Sequence, residues 1–136
     1  MKKCLFMLLA VALLMSALII PTGAALPENT VTPLWTNTSH VDRCIVFDEG
    51  MGYAEAAVIA KASPKSMVAE VYVYVQSGSD WIYVTEARNS KTGMTIGISC
   101  PFEAVSGAYY KAEYRFTITG NGIDEIITTA AYGTYN

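Results

Sequence analysis

The chain has 136 residues, a formal net charge of −3, and 52% hydrophobic against 15% charged residues. That length holds one domain. The mild acidity, with no clustered Lys or Arg, excludes nucleic acid and anionic membrane surfaces as partners, because both require basic patches.

Residues 1–25 read as a secretory signal peptide. Lys2 and Lys3 make a basic start, Cys4 to Ile20 is uncharged and mostly apolar, Pro21 breaks any helix, and Gly23-Ala24-Ala25 offers small residues for cleavage. A membrane anchor needs roughly 17–25 apolar residues. This run is near the short limit and is followed by a helix breaker, so no stable membrane anchor is expected after cleavage. Cys4 precedes the apolar run, which disfavours a lipoprotein signal. Cleavage leaves about 111 residues, enough to bury a core without obligatory disulfides or metals. Removing Lys2 and Lys3 from the nine basic residues leaves seven against twelve acidic ones, a net charge of −5. The expected object is a secreted, monomeric extracellular domain.

Residues 26–39 contain Pro27, Pro33 and several Asn and Thr, and read as an extended lead-in that sticks to the domain at Trp35. Asn37-Thr38-Ser39 matches a glycosylation sequon, here read as chance. The domain proper, 40–136, offers seven strands. Val41–Phe47 is the first, closed by the turn Asp48-Glu49-Gly50. Tyr53–Lys61 is the second, with Ala54, Ala56, Val58 and Ala60 on one face. Met67–Gln76 is the third, where Met67, Ala69, Val71, Val73 and Val75 alternate with Val68, Glu70, Tyr72, Tyr74 and Gln76. Ser77-Gly78-Ser79-Asp80 is turn chemistry, followed by a fourth strand, Trp81–Ala87, and a loop from Asn89 to Gly93. Met94, Ile96, Ile98 and Cys100 form the inner face of a fifth strand that Pro101 ends by removing a ladder donor.

The clearest strand is the sixth, within Gly107–Gly122. Tyr110, Ala112, Tyr114, Phe116 and Ile118 share one face; Tyr109, Lys111, Glu113, Arg115 and Thr117 share the other, the period of two of a half-buried strand. Asn121-Gly122 suits a tight hairpin, since both residues tolerate positive φ, and Ile123–Ala131 is the seventh strand. No segment has a helical apolar period with caps. The expected fold is an all-β, two-sheet antiparallel sandwich of immunoglobulin-like or fibronectin type, with strands one, two and five in one sheet and four, three, six and seven in the other. Small residues on the second strand then face Tyr110, Tyr114 and Phe116, with Trp81 as a core anchor. Tyr110 stands where a tyrosine corner is expected.

The run G-A-Y-Y-K-A-E-Y-R-F-T-I-T-G-N-G-I-D-E, with P-L-W-T-N in the lead-in and Gly52-Tyr53-Ala54, resembles a family of small secreted proteins of Gram-positive bacteria of unknown function. The resemblance implies secretion and an immunoglobulin-like sandwich, and carries over no catalytic residue.

Cys44 and Cys100 remain after signal removal. Strands one and five flank strand two, about 9–10 Å apart, whereas a disulfide needs Cα atoms within about 7 Å. Cys44 also alternates out of phase with Ile45 and Phe47, so two separate thiols are expected. His40, the only histidine, reads as a solvated loop residue before the first strand. It lies near Asp42 in sequence, but four residues of strand separate it from Cys44, about 13 Å. Asp48-Glu49 and Asp124-Glu125 sit at turns, where acidic side chains bond locally, and adjacent strand residues point to opposite faces, which makes neither pair an acid/base dyad. Neither pair has the oxygen-ligand spacing of a calcium loop. The glycines lack the strand-to-helix step of a phosphate loop. No catalytic, cofactor-binding or metal-binding residue is assigned.

The positive surface signal is aromatic. Tyr72 and Tyr74 on the third strand and Tyr109 on the sixth fall on the outer face of neighbouring strands, with Glu70, Lys111 and Arg115 nearby. Such rings suit stacking on a sugar or a protein partner, or they stabilise the sheet as cross-strand pairs. The expected function is therefore a non-enzymatic extracellular recognition or structural module whose partner is a protein or a glycan. A carbohydrate- or cell-wall-binding module is the alternative, then a small secreted hydrolase using His40 or an acidic pair. A bacteriocin-like toxin ranks last, because nothing is cationic and membrane-amphipathic.

Overall fold

The computed structural model describes residues 35–120 and 123–136. The expected signal peptide, most of the expected lead-in and the hairpin turn expected at Asn121-Gly122 lie outside the described residues. Among those described there are seven strands: β1 Thr38–Asp48, β2 Met51–Ala60, β3 Ser66–Ser77, β4 Asp80–Lys91, β5 Thr95–Glu103, β6 Tyr109–Thr119 and β7 Asp124–Thr134. They form two antiparallel sheets ordered β1-β2-β5 and β4-β3-β6-β7. This is the all-β sandwich and the strand order that turn spacing and periodicity predict.

The core follows the alternation. Ala54, Val58, Met67, Ala69, Val71, Val73, Ile96, Ala112, Tyr114, Phe116 and Ile118 are all buried, in one cluster between the sheets. Two phenols are buried with a partner, as a polar handle in a core requires. The Tyr110 hydroxyl accepts the Val105 N–H at 2.9 Å, the tyrosine corner anticipated from sequence. The Tyr114 hydroxyl donates to the Cys44 carbonyl at 2.8 Å and so spans from β6 to β1. Burial pushes the Tyr114 phenol above its ordinary range, with neighbouring Cys44 and Cys100 adding to the rise.

At one end of the sandwich, Phe47, Phe102, Tyr110 and Tyr135 make a ring cluster, with Phe102 and Tyr110 centroids 4.9 Å apart and Phe47 5.6–6.2 Å from the other three. Two glycines admit these rings. A Cβ on Gly52 would lie 2.2 Å from Cζ of Phe102, and one on Gly133 would lie 2.8 Å from Cε2 of Phe47. At the same end, Glu49 (φ 45°) and Gly50 (φ 85°) close the β1–β2 hairpin between the paired Asp48 and Met51, the two positive φ values that a two-residue hairpin of native twist needs.

At the other end the lead-in is fixed by a carboxylate. Glu125 accepts from Thr36 N at 2.5 Å, Asn37 N at 3.1 Å and the buried Thr38 hydroxyl at 2.7 Å. Glu125 therefore does not bond locally: it holds residues 87 to 89 positions away. Asn37 also donates from Nδ2 to the Ile123 carbonyl, and Trp35 packs on the core as expected.

Four boundary expectations are corrected. β5 runs through Pro101 to Glu103. Ala104 N donates to Gly50 O, so residues of even number turn their N–H toward β2, and the missing donor of Pro101 falls on the open edge, where it costs no ladder bond. Met94 precedes β5 and is exposed, not on the inner face. Asn89 to Lys91 belong to β4, paired with Ala69 to Met67, instead of starting a loop. His40 lies inside β1 opposite Ile59, because the Glu125 clamp lets the strand begin at Thr38.

Trp81 is the fifth correction: it is not a core anchor. The β3–β4 register shifts between Val73 and Tyr74, with Val73 opposite Thr85 but Tyr74 opposite Tyr83, leaving Val84 as an extra residue. A one-residue slip exchanges faces. Ala87 packs inward, but Trp81 and Tyr83 are carried to the outer face.

Two outcomes follow for measurement. Gly52→Ala drives a methyl into the buried Phe102 ring and should lower stability by about 1–3 kcal/mol, the range for overpacking, read by denaturant unfolding. Stability should also fall as pH rises above about 10, the ordinary tyrosine pKa. There the unfolded Tyr114 phenol ionises while the folded one stays protonated, so the unfolded state binds fewer protons. In Tyr114→Phe the alkaline slope should flatten; an unchanged slope would remove Tyr114 as its source.

Candidate functional site

The candidate site is the outer face of the four-stranded sheet. β3 presents Tyr72 and Tyr74, β6 presents Tyr109, Lys111, Glu113 and Arg115, β7 presents Tyr132, and the bulged half of β4 presents Trp81 and Tyr83. The centre is Lys111. Its Nζ sits 4.8 Å from the Tyr74 ring centroid and 4.8 Å from that of Trp81, and 2.8 Å from the Glu113 carboxylate. Its side chain is only 14% exposed. An ammonium over two aromatic faces gains about 0.5–2 kcal/mol, and the aliphatic stem covers apolar ring surface.

The rings continue outward. Tyr109 and Tyr132 are nearly parallel, at 19° with centroids 6.0 Å apart. Trp81 leans against both, at 45° to Tyr109 and 56° to Tyr132, with centroids 5.8 and 6.1 Å away. Tyr83 meets Tyr74 edge-on at 6.2 Å. Partial desolvation and then the neighbouring Glu86 carboxylate push the Tyr83 phenol up. Tyr83, Tyr109 and Tyr132 are all exposed. The arrangement is a five-ring surface pinned by one internally neutralised cation.

Of the residues singled out from sequence, Tyr74, Tyr109 and Lys111 come together here. Tyr72 lies opposite Glu86 and Glu113, and no ring contact among the described residues includes it. Arg115 sits beside Glu70 and Thr128, further along the face. Glu70 pairs with Arg88 at 3.5 Å. Sequence reasoning missed Trp81, assigned inward, and also Tyr83 and Tyr132. Tyr132 had a readable signal, since Ile126, Thr128, Ala130 and Tyr132 continue one alternating face past the expected strand end.

The other chemistry-bearing residues stay apart. Cys44 and Cys100 are both free thiols, Cys44 exposed and Cys100 buried. Their register partners explain this: Cys44 lies opposite Glu55 on the outer face, Cys100 opposite Ala54 on the inner face. Burial holds the Cys100 thiol above its ordinary value, partly offset by a Thr85 hydrogen bond. A shallow depression on the three-stranded sheet holds Cys44 with Glu55, Ala57, Gly97 and Ser99. The His40 imidazole contacts Asp42, at 2.9 Å, not Cys44. Among the described residues, no group of three His, Cys, Asp or Glu side chains could hold a metal ion, and no helix is long and apolar enough to cross a membrane.

No family model and no curated protein matches the chain. Among solved structures it is similar to CsgH of R. palustris, at 9% identity and TM-score 0.43 over 68% of this chain and 88% of that one. It is similar to the sporulation control protein Spo0M of Bacillus subtilis, at 12% identity and TM-score 0.41 over 75% of this chain and 51% of that one. A catalytically inactive OgpA of Akkermansia muciniphila aligns at 13% identity and TM-score 0.36, over 74% and 31% of the two chains. These likenesses are distant, and the sandwich rests on this chain's own strands.

The thiols give a direct check. Cys44 should label with a water-soluble maleimide in the native protein, whereas Cys100 should label only after unfolding, as mapped by peptide mass spectrometry. A Cys44–Cys100 disulfide-linked peptide would contradict the opposite faces assigned to them.

Proposed function

We propose that the protein is a non-enzymatic recognition module acting outside the cell, and that its recognition surface is the outer face of the four-stranded sheet. The observation that carries this reading is the ring surface around Lys111, formed by exposed Tyr83, Tyr109 and Tyr132 with half-buried Tyr74 and Trp81. Exposed aromatic clusters of this kind mark binding sites more often than bare sheet surface. All five rings stand on strands, so little side-chain freedom is lost when a ligand is engaged. The apolar run of residues 4–20, behind Lys2 and Lys3, supports an extracellular setting.

A purely structural role for the rings makes a different demand, since cross-strand aromatic pairs add about 0.2–1 kcal/mol each to a sheet. The double variant Trp81→Ala, Tyr132→Ala separates the two. On combined arrays of glycans and extracellular proteins, wild type should bind at least one target and the variant should lose it, with a midpoint of unfolding lowered by only a few degrees. Binding that survives both substitutions would remove this face as the recognition surface.

A further inference from the structure

We infer that the ligand of this surface is a neutral carbohydrate, its sugar ring seated in the corner formed by Tyr109, Tyr132 and Trp81. The inference rests on the recognition reading above and adds the ligand's chemical class. Three observations point to it.

The first is shape. Tyr109 and Tyr132 lie nearly parallel, and Trp81 rises from them at 45–56°. Two stacked phenol rings with an indole inclined to both make an angular aromatic step on the sheet. The axial C–H face of a pyranose is flat and weakly positive, and it stacks on the negative face of an aromatic ring.

The second is charge. Lys111 is already paired with Glu113 and flanked by two ring faces, while Glu70 is paired with Arg88. A charged ligand entering the corner would meet a cation and an anion that already compensate each other. An uncharged polyhydroxyl ligand meets no such mismatch. It finds acceptors in Glu113, which is 43% exposed, and phenolic donors and acceptors in the tyrosines.

The third is composition. The groups at the corner are rings, phenols, an ammonium and a carboxylate. The exposed aliphatic residues of this sheet lie elsewhere: Ile126 opposite Thr117 on β6, and Ile82 opposite Val75 on β3. Aromatic rings interleaved with hydrogen-bonding groups suit a ligand whose every ring has one apolar face and a polar rim.

The test is calorimetric titration of the purified protein with neutral cello-, xylo-, manno- and chito-oligosaccharides and with anionic oligogalacturonate. At least one neutral oligosaccharide should bind, and Trp81→Ala and Tyr132→Ala should each weaken it by roughly tenfold or more, as for a central aromatic contact. Thermal unfolding of both variants checks that they remain folded. Tighter binding of oligogalacturonate than of every neutral sugar, with the same loss in the variants, overturns the neutral-ligand assignment and leaves the recognition face standing. No sugar bound, with a protein target lost on Trp81→Ala, overturns the carbohydrate assignment alone. A sugar bound equally well by both variants overturns the face and the ligand together.

Discussion

Two sheets reach interior packing density only where one of them yields side-chain volume to the other, and here β2 does so. Ala54, Ala56, Val58 and Ala60 turn small side chains inward from the middle of the three-stranded sheet, and Gly52 has none. Met67, Tyr110, Tyr114 and Phe116 fill the space from the middle strands of the other sheet. The Tyr114 hydroxyl, donating to the Cys44 carbonyl, then links the sheets with a directional bond that dispersion alone does not supply. Fixing β6 in this way fixes its outward residues too, so the candidate site depends on the core behind it.

The margins of the sandwich are handled by single side chains. An edge strand exposes a row of unpaired backbone groups. Arg43 Nε donates across to the Ala130 carbonyl at 2.8 Å where β1 meets β7, and Asn89 Nδ2 to the Gly97 carbonyl at 2.8 Å where β4 meets β5. Glu125 performs the same office for the lead-in, satisfying two backbone N–H groups and a hydroxyl with one carboxylate. A charge that accepts three bonds is well placed at a rim, where part of it keeps contact with water.

The bulge at Val84 has a larger consequence than its size suggests. It keeps Ala87 in the core while turning Trp81 and Tyr83 outward, and it thereby gathers rings from β3, β4, β6 and β7 on one face. Lys111 then occupies the centre, held by Tyr74, Trp81 and Glu113 together. A cation fixed by two ring faces and a carboxylate stiffens a surface that would otherwise be a set of independent side chains.

Strand number, the two-sheet order, the buried face of β6, the small-residue face of β2 and the corner at Tyr110 were all legible in the chain itself. Each is a local alternation or a turn signal, and alternation survives folding because successive strand residues must point to opposite faces. Tyr74, Tyr109 and Lys111 were legible as an outward group for the same reason. The outward turn of Trp81, the reach of Glu125 to residues 36–38 and the persistence of β5 through Pro101 were not. Each depends on a pairing partner: the two-against-one register opposite Val73 and Tyr74, a strand nearly 90 residues away, and the β2–β5 register that turns the Pro101 nitrogen to the open edge. Periodicity tells which residues share a face; only the tertiary structure decides which faces meet.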